Sequence, residues 1–166
     1  MNEHNCDALR EAMAQHSKMV YRLAYARTRN HADAEDIYQE VFLRFAVHCG
    51  EFEGPEHQKA WLIRVTANLS VNLLRSAWRR HAVTSEMALE PERPVAKGVS
   101  DRMNRALEAL PARYRTVIHL FYFEDMHVDE IASALGMKPA TVRAQLTRAR
   151  DRLRKLLGAT EREGRI

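Results

Sequence analysis

The feature that most constrains this chain is helical periodicity interrupted once. Apolar residues recur at three and four positions through residues 9–79 and again through residues 103–153. That is the spacing that lays one stripe along a helix. No stretch alternates with period two for long enough to make a strand. Between the two blocks, Ala82 to Ser100 carries Pro91, Pro94, Gly98 and two serines and has little periodicity, so it reads as a linker. At 166 residues the chain has room for one domain or two small ones. The fold class expected is all-α. Two small helical domains, 1–81 and 101–166, are joined by a flexible linker over 82–100, and the second ends in a helix-turn-helix.

Within the first block, Leu9, Met13, His16, Val20 and Leu23 mark one helix. Ile37, Val41 and Phe45 mark the next, widened by Tyr38 and Phe42, with Asp33 in its N-cap region. Gly50, Gly54 and Pro55 break the pattern. A third helix is expected from about Glu56 to Arg79, with Leu62, Val65, Leu69 and Leu73 as its core face. After the linker come Met103 to Leu110 and then Pro111 at a first-turn position. Val117, Leu120 and Phe121 follow on one stripe.

The net charge of +4 hides strong segregation. Asp33, Glu35, Asp36 and Glu40 cluster without a base, whereas Arg64, Arg75, Arg79 and Arg80 fall in a stretch without an acid. Lys138 to Lys155 holds seven bases against Asp151. On the third helix, Arg64, Asn68, Asn72, Arg75 and Arg79 are spaced by four, four, three and four, which aligns them on one face. Lys and Glu would solubilise such a face with better helix propensity. Asn and Arg instead offer base and phosphate contacts, and Trp61 and Trp78 flank the stripe as core or stacking residues.

The segment Asp129 to Gly136 reads as a short helix closed by a left-handed glycine. Met137 and Lys138 turn the chain, and Pro139 opens another helix. Ala132 permits close helix approach, and Val142 packs between the helices. Val142, Leu146, Ala149 and Leu153 would face inward. Arg143, Thr147, Arg150 and Arg154 would lie outward, flanked by Arg148. Such a helix can enter the DNA major groove.

Other classes find little support. Cys6 and Cys49 form no CxxC pair, and the eight histidines are scattered, so neither a disulfide framework nor a metal site is indicated. No phosphate-binding glycine loop or nucleophile motif is present, so an enzyme is not expected, nor is a cofactor. No leader and no membrane-length apolar run is visible, which points to the reducing cytoplasm.

These residues resemble a known family. Asp33-Ala34-Glu35-Asp36-Ile37-Tyr38-Gln39-Glu40-Val41-Phe42-Leu43-Arg44 is similar to the polymerase-binding stretch of sigma-70-family factors. Trp61 to Asn68, with Asn72 and Arg75, looks like their promoter-melting and −10-reading helix. Ala106 to Pro111, Arg115, Val117 and the helix-turn-helix through Arg150 resemble their −35-reading domain. With two domains and no long amino-terminal extension, the chain is similar to the extracytoplasmic-function (ECF) class of alternative sigma factors.

The resemblance implies that Asp36, Gln39, Glu40 and Leu43 dock on core RNA polymerase. It implies that Arg64, Asn68, Asn72, Arg75 and Arg79 meet the −10 element, with Asn72 standing where many members carry Asp. The loop Glu51 to Lys59 would take up a flipped base, and the linker would thread near the RNA exit path. Arg143, Ala144, Thr147, Arg148 and Arg150 would meet the −35 element. Promoter DNA and an anti-sigma factor are the other partners implied, with no membrane insertion. The alternative reading is a helix-turn-helix regulator that does not bind core polymerase.

Overall fold

The computed structural model describes residues 3–48, 52–81 and 100–163, and side chains of those residues except 77–81 and 159–163. The described residues form seven α-helices and one π-helical turn, with no strand among them. The first group is α1 (Glu3–Thr28), α2 (His31–His48) and α3 (Pro55–His81). The second is α4 (Asp101–Glu108), α5 (Ala112–Ile118), the π turn His119–Phe123, α6 (Val128–Leu135) and α7 (Pro139–Glu163). The linker expected over 82–100 lies outside the described residues, apart from Ser100.

The helices pack along the stripes that the sequence marks. Val20 and Leu23 of α1 are buried against Ile37, Val41 and Phe45 of α2 and Leu62 and Ile63 of α3. Burying a Val, Leu, Ile or Phe side chain is worth about 1.5–3 kcal/mol, so this stripe is what ties the three helices together. Trp61 belongs to an aromatic group with Phe45, Phe52 and His48, at ring-centroid distances of 6.1, 5.5 and 5.7 Å. Trp61 is therefore a packing residue. The side chain of Trp78 lies outside the described ones.

Two local expectations need correction, the core face of α3 and the cap of α2. The buried face of α3 centres on Leu62, Ile63, Thr66 and Ser70, while Val65, Leu69 and Leu73 are only half-buried. Thr66 and Ser70 tolerate burial because each hydroxyl donates to the carbonyl four residues back, at 2.7 Å. Pro55 begins α3, at the position where its missing N–H costs nothing. Asn30, rather than Asp33, caps α2: its Oδ1 accepts from the Asp33 amide at 3.0 Å.

In the second group, Ser100 caps α4 by accepting from the Met103 amide at 3.3 Å. Pro111 stands just before α5 as its N-cap. Val117 and Leu120 are fully buried, but the helix widens to a π turn at His119, which the sequence stripe does not foretell. Glu130 closes the start of α6 by accepting from the His127 amide at 2.8 Å. Gly136 ends α6 with φ +67°, the left-handed conformation expected of it. Val142, Leu146 and Ala149 of α7 are buried against this turn.

His16 sits on the buried stripe of α1. Its Nε2 is enclosed without a hydrogen-bond partner. Burial, then the nearby charge of Lys59, holds its pKa below the ordinary 6.5. The neutral ring is thus the folded form, and the unfolded chain binds the proton more readily. Stability should be full above pH 6.5 and fall as pH drops below it. Thermal unfolding between pH 7.5 and 5.5 checks this; His16→Gln should show a shallower loss than the parent chain.

Candidate polymerase and promoter interfaces

Three faces carry the residues singled out from the sequence. On α2, Asp36, Gln39 and Leu43 are exposed and Glu40 is half-buried. The first turn of the helix holds acids, where the helix dipole favours them. Glu40 accepts from Arg44 Nε at 2.7 Å, an exposed i,i+4 pair of small energetic weight. The structure adds a residue that the sequence reading missed: Val47 is 78 % exposed, one turn beyond Leu43 at 65 %. An acidic edge therefore runs into a bare apolar one. The four-residue spacing Gln39, Leu43, Val47 was the signal available for it.

On α3, Arg64, Asn68, Asn72 and Arg75 are all exposed on one side, as the spacing predicts. The Arg79 side chain lies outside the described ones. Arg64 is engaged rather than free. Its Nε donates to the Ala134 carbonyl at 3.1 Å and its Nη2 to the Ser133 carbonyl at 2.8 Å. Those carbonyls close α6, where a cation complements the negative end of the helix dipole. Of the expected specificity loop, residue 51 lies outside the described residues. Phe52 stacks on Phe45 at 5.3 Å, and the Glu53 amide donates to His57 Nδ1 at 3.2 Å.

On α7, Arg143, Ala144, Thr147 and Arg148 are exposed on the face opposite Val142, Leu146 and Ala149. Thr147 donates to the Arg143 carbonyl at 3.0 Å, leaving its methyl and the arginines facing outward. Arg150 is half-buried and pinned. Its Nε donates to the Tyr122 hydroxyl at 2.7 Å, and its guanidinium lies 5.4 Å and 5.5 Å from the Phe121 and Tyr122 ring centroids. This pinning was not legible in sequence, because the partners lie 28 residues apart.

The two groups meet along a seam of arginines. Arg115 of α5 donates to the Ala26 carbonyl at 2.7 Å and the Arg27 carbonyl at 2.6 Å, both at the end of α1. The same guanidinium reaches the Glu108 carbonyl at 3.4 Å and the Leu110 carbonyl. Arg27 of α1 is buried and donates to Thr116 of α5. Arg29 pairs with Glu108 at 3.1 Å and lies 5.0 Å from the Tyr25 ring centroid. Burial pushes the Arg27 and Arg115 guanidiniums down to about 10, and for Arg115 the neighbouring Arg29 and Arg27 add to the effect. Both remain cationic at neutral pH. The sequence reading missed this seam, although Arg27 falls four residues after Leu23 on the buried stripe.

Removing a donor that serves several enclosed carbonyls costs about 1–3 kcal/mol for each one left unsatisfied. Opening the seam to water avoids that cost. Arg115→Ala should therefore keep its helicity by circular dichroism while the radius of gyration from small-angle scattering rises.

Two family models match this chain. Residues 12–80 match the family described as Sigma-70 region 2, and residues 100–153 match Sigma-70, region 4. The ECF RNA polymerase sigma factor SigE of Mycolicibacterium smegmatis is 33% identical over 159 residues, 89% of this chain. The chain spans 60% of that relative's length. The ECF RNA polymerase sigma factor SigL of Mycobacterium tuberculosis is 32% identical over 147 residues, covering 83% of this chain and 82% of the relative. Among solved structures, the sigma factor RpoE of Bartonella quintana, crystallised with the anti-sigma factor NepR, superposes with a TM-score of 0.76. That match covers 90% of this chain and 96% of the other at 24% identity, a likeness of fold. Both halves match in order and relatives above 30% identity span most of the chain, so the protein belongs to the sigma-70 family, in the ECF class of RNA polymerase sigma factors.

Proposed function

We propose that this chain is an alternative sigma factor that binds core RNA polymerase, recognises −35 and −10 promoter elements and promotes DNA melting for transcription initiation. The observation that carries the reading is the outward face of α7. Arg143, Ala144, Thr147 and Arg148 project from a helix whose other face is locked by Val142, Leu146, Ala149 and the Gly136 turn. A rigid helix with exposed basic and small residues in its first turns is what major-groove reading needs.

The working division is residues 1–81 for polymerase docking and the −10 element, 82–100 as a tether, and 101–166 for the −35 element. Asp36, Gln39, Glu40 and Leu43 dock on core polymerase, and Val47 extends that contact. Arg64, Asn68, Asn72, Arg75 and Arg79 hold the −10 strand, and Arg143, Ala144, Thr147, Arg148 and Arg150 hold the −35 duplex. Arg150, tied to Tyr122, contributes a positioned phosphate contact rather than a mobile one.

The work is done by binding, without covalent chemistry. Extruding a base costs a few kcal/mol, and stacking in a pocket returns about 1–3 kcal/mol per base. Phosphate contacts through the arginines make the affinity fall steeply with salt. Holding two modest sites on one polymerase raises the effective concentration of each element for its module. An anti-sigma factor is the regulatory partner this reading implies, as NepR is for the Bartonella quintana RpoE. The place of action is the cytoplasm. Among the described residues no helix is long and apolar enough to cross a membrane.

In vitro transcription with core polymerase on promoters varied at −35 tests the α7 assignment. Arg143→Ala should cost about 1–3 kcal/mol at one base position and relax specificity there; unchanged selectivity would sink it. Reversing Asp36 and Glu40 to Lys together should abolish capture of core polymerase while circular dichroism stays helical. Retained capture would remove the docking role from α2.

A further inference from the structure

We propose that the crevice between the two helical groups is a binding site for a phosphate-class oxyanion, assembled only when the groups are closed on each other. The crevice has a volume of about 130 Å³. Arg27 of α1, Arg64 and Asn68 of α3, Arg113 and Thr116 of α5, and Gln145 of α7 contribute to its wall. Three guanidiniums and two carboxamides thus converge from both halves of the chain. No carboxylate among the described residues lines the space.

The charges in this wall are met by neutral groups alone. Arg64 is held by the Ser133 and Ala134 carbonyls, and Arg113 Nη2 lies 3.4 Å from the Tyr114 hydroxyl. Arg27 is only 7 % exposed; it donates to the Thr116 hydroxyl, and its Nε is enclosed with no acceptor at all. The carboxylate paired at the seam, Glu108, is taken by Arg29. A buried cation is expected to be paired, because its desolvation is otherwise uncompensated. Burial lowers the Arg27 pKa to about 10.

An oxyanion supplies what the wall lacks. It accepts from every side, carries the opposite charge and matches the planar fork of a guanidinium. The carboxamides of Asn68 and Gln145 can donate to its remaining oxygens. The volume is several times the ~30 Å³ share of one water in the liquid. That leaves room for a phosphoryl group.

The ligand touches both halves, so it binds the closed form and stabilises it by mass action. Arg64 and Asn68 are assigned above to the −10 strand, so an occupied crevice withholds them from DNA. That consequence rests on the proposed function; the binding itself does not.

Isothermal titration of the full chain with inorganic phosphate, against chloride at matched ionic strength, tests the site. Saturable binding at one site per chain is expected. Arg113→Gln, at the exposed rim, and Arg64→Gln should each weaken it at least tenfold with helicity retained. Arg115→Ala, which loosens the seam, should weaken it as well. A general salt effect of phosphate on the surface would persist in all three variants. Absence of saturable binding, or affinity unchanged in Arg113→Gln and Arg64→Gln, would overturn the proposal. The titration contains no polymerase or DNA, so its failure leaves the sigma-factor reading standing, and loss of core capture leaves the phosphate site standing.

Discussion

The arrangement of this molecule depends on one guanidinium. Arg115 takes the last carbonyls of α1 and the carbonyls that follow α4 into a single planar fork. Helix ends leave carbonyls without intrahelical partners, and burying them unpaired is costly. One cation therefore solves the termination of two helices from opposite halves of the chain, and in doing so holds the halves together. Arg27 and Arg29 extend the contact to Thr116 and Glu108. The cost is a concentration of positive charge in a place that water scarcely reaches.

This polar seam runs beside one apolar core that includes residues of both halves, Leu23 and Leu62 of the first and Val117 and Ile131 of the second. The core of the first group is made of Val20, Leu23, Ile37, Val41, Phe45, Leu62 and Ile63, contacts that hold as long as water is excluded. Hydrogen bonds from guanidinium to carbonyl have good substitutes in water, so their net contribution is modest. In this arrangement Arg64 is held against the end of α6.

Sequence legibility followed the range of the interaction concerned. The helix-turn-helix was readable because its signals are local: Ala132, the left-handed Gly136 and Val142 fall within one short segment. The outward stripe of α7 and the Asn/Arg stripe of α3 were readable for the same reason, since helical spacing alone sets which residues share a face. Thr66 and Ser70 were not picked out as core residues because polar side chains suggest exposure, and only their bonds to the preceding turn make burial tolerable. Val47 was passed over because an apolar residue on a helix is by default assigned to the core, and its exposure depends on where α1 and α3 lie.

By itself, the sequence determined the helical class, the acidic and basic faces and the outward face of α7. Each follows from residue spacing within a few turns, where backbone geometry leaves little choice. Only the tertiary structure decided that Arg115 gathers the ends of two helices, that Arg64 caps α6, and that Arg27 is buried against Thr116. These contacts join residues 69 to 89 positions apart. No local periodicity encodes such a meeting, because it is set by how the apolar faces of separate helices come to rest on one another.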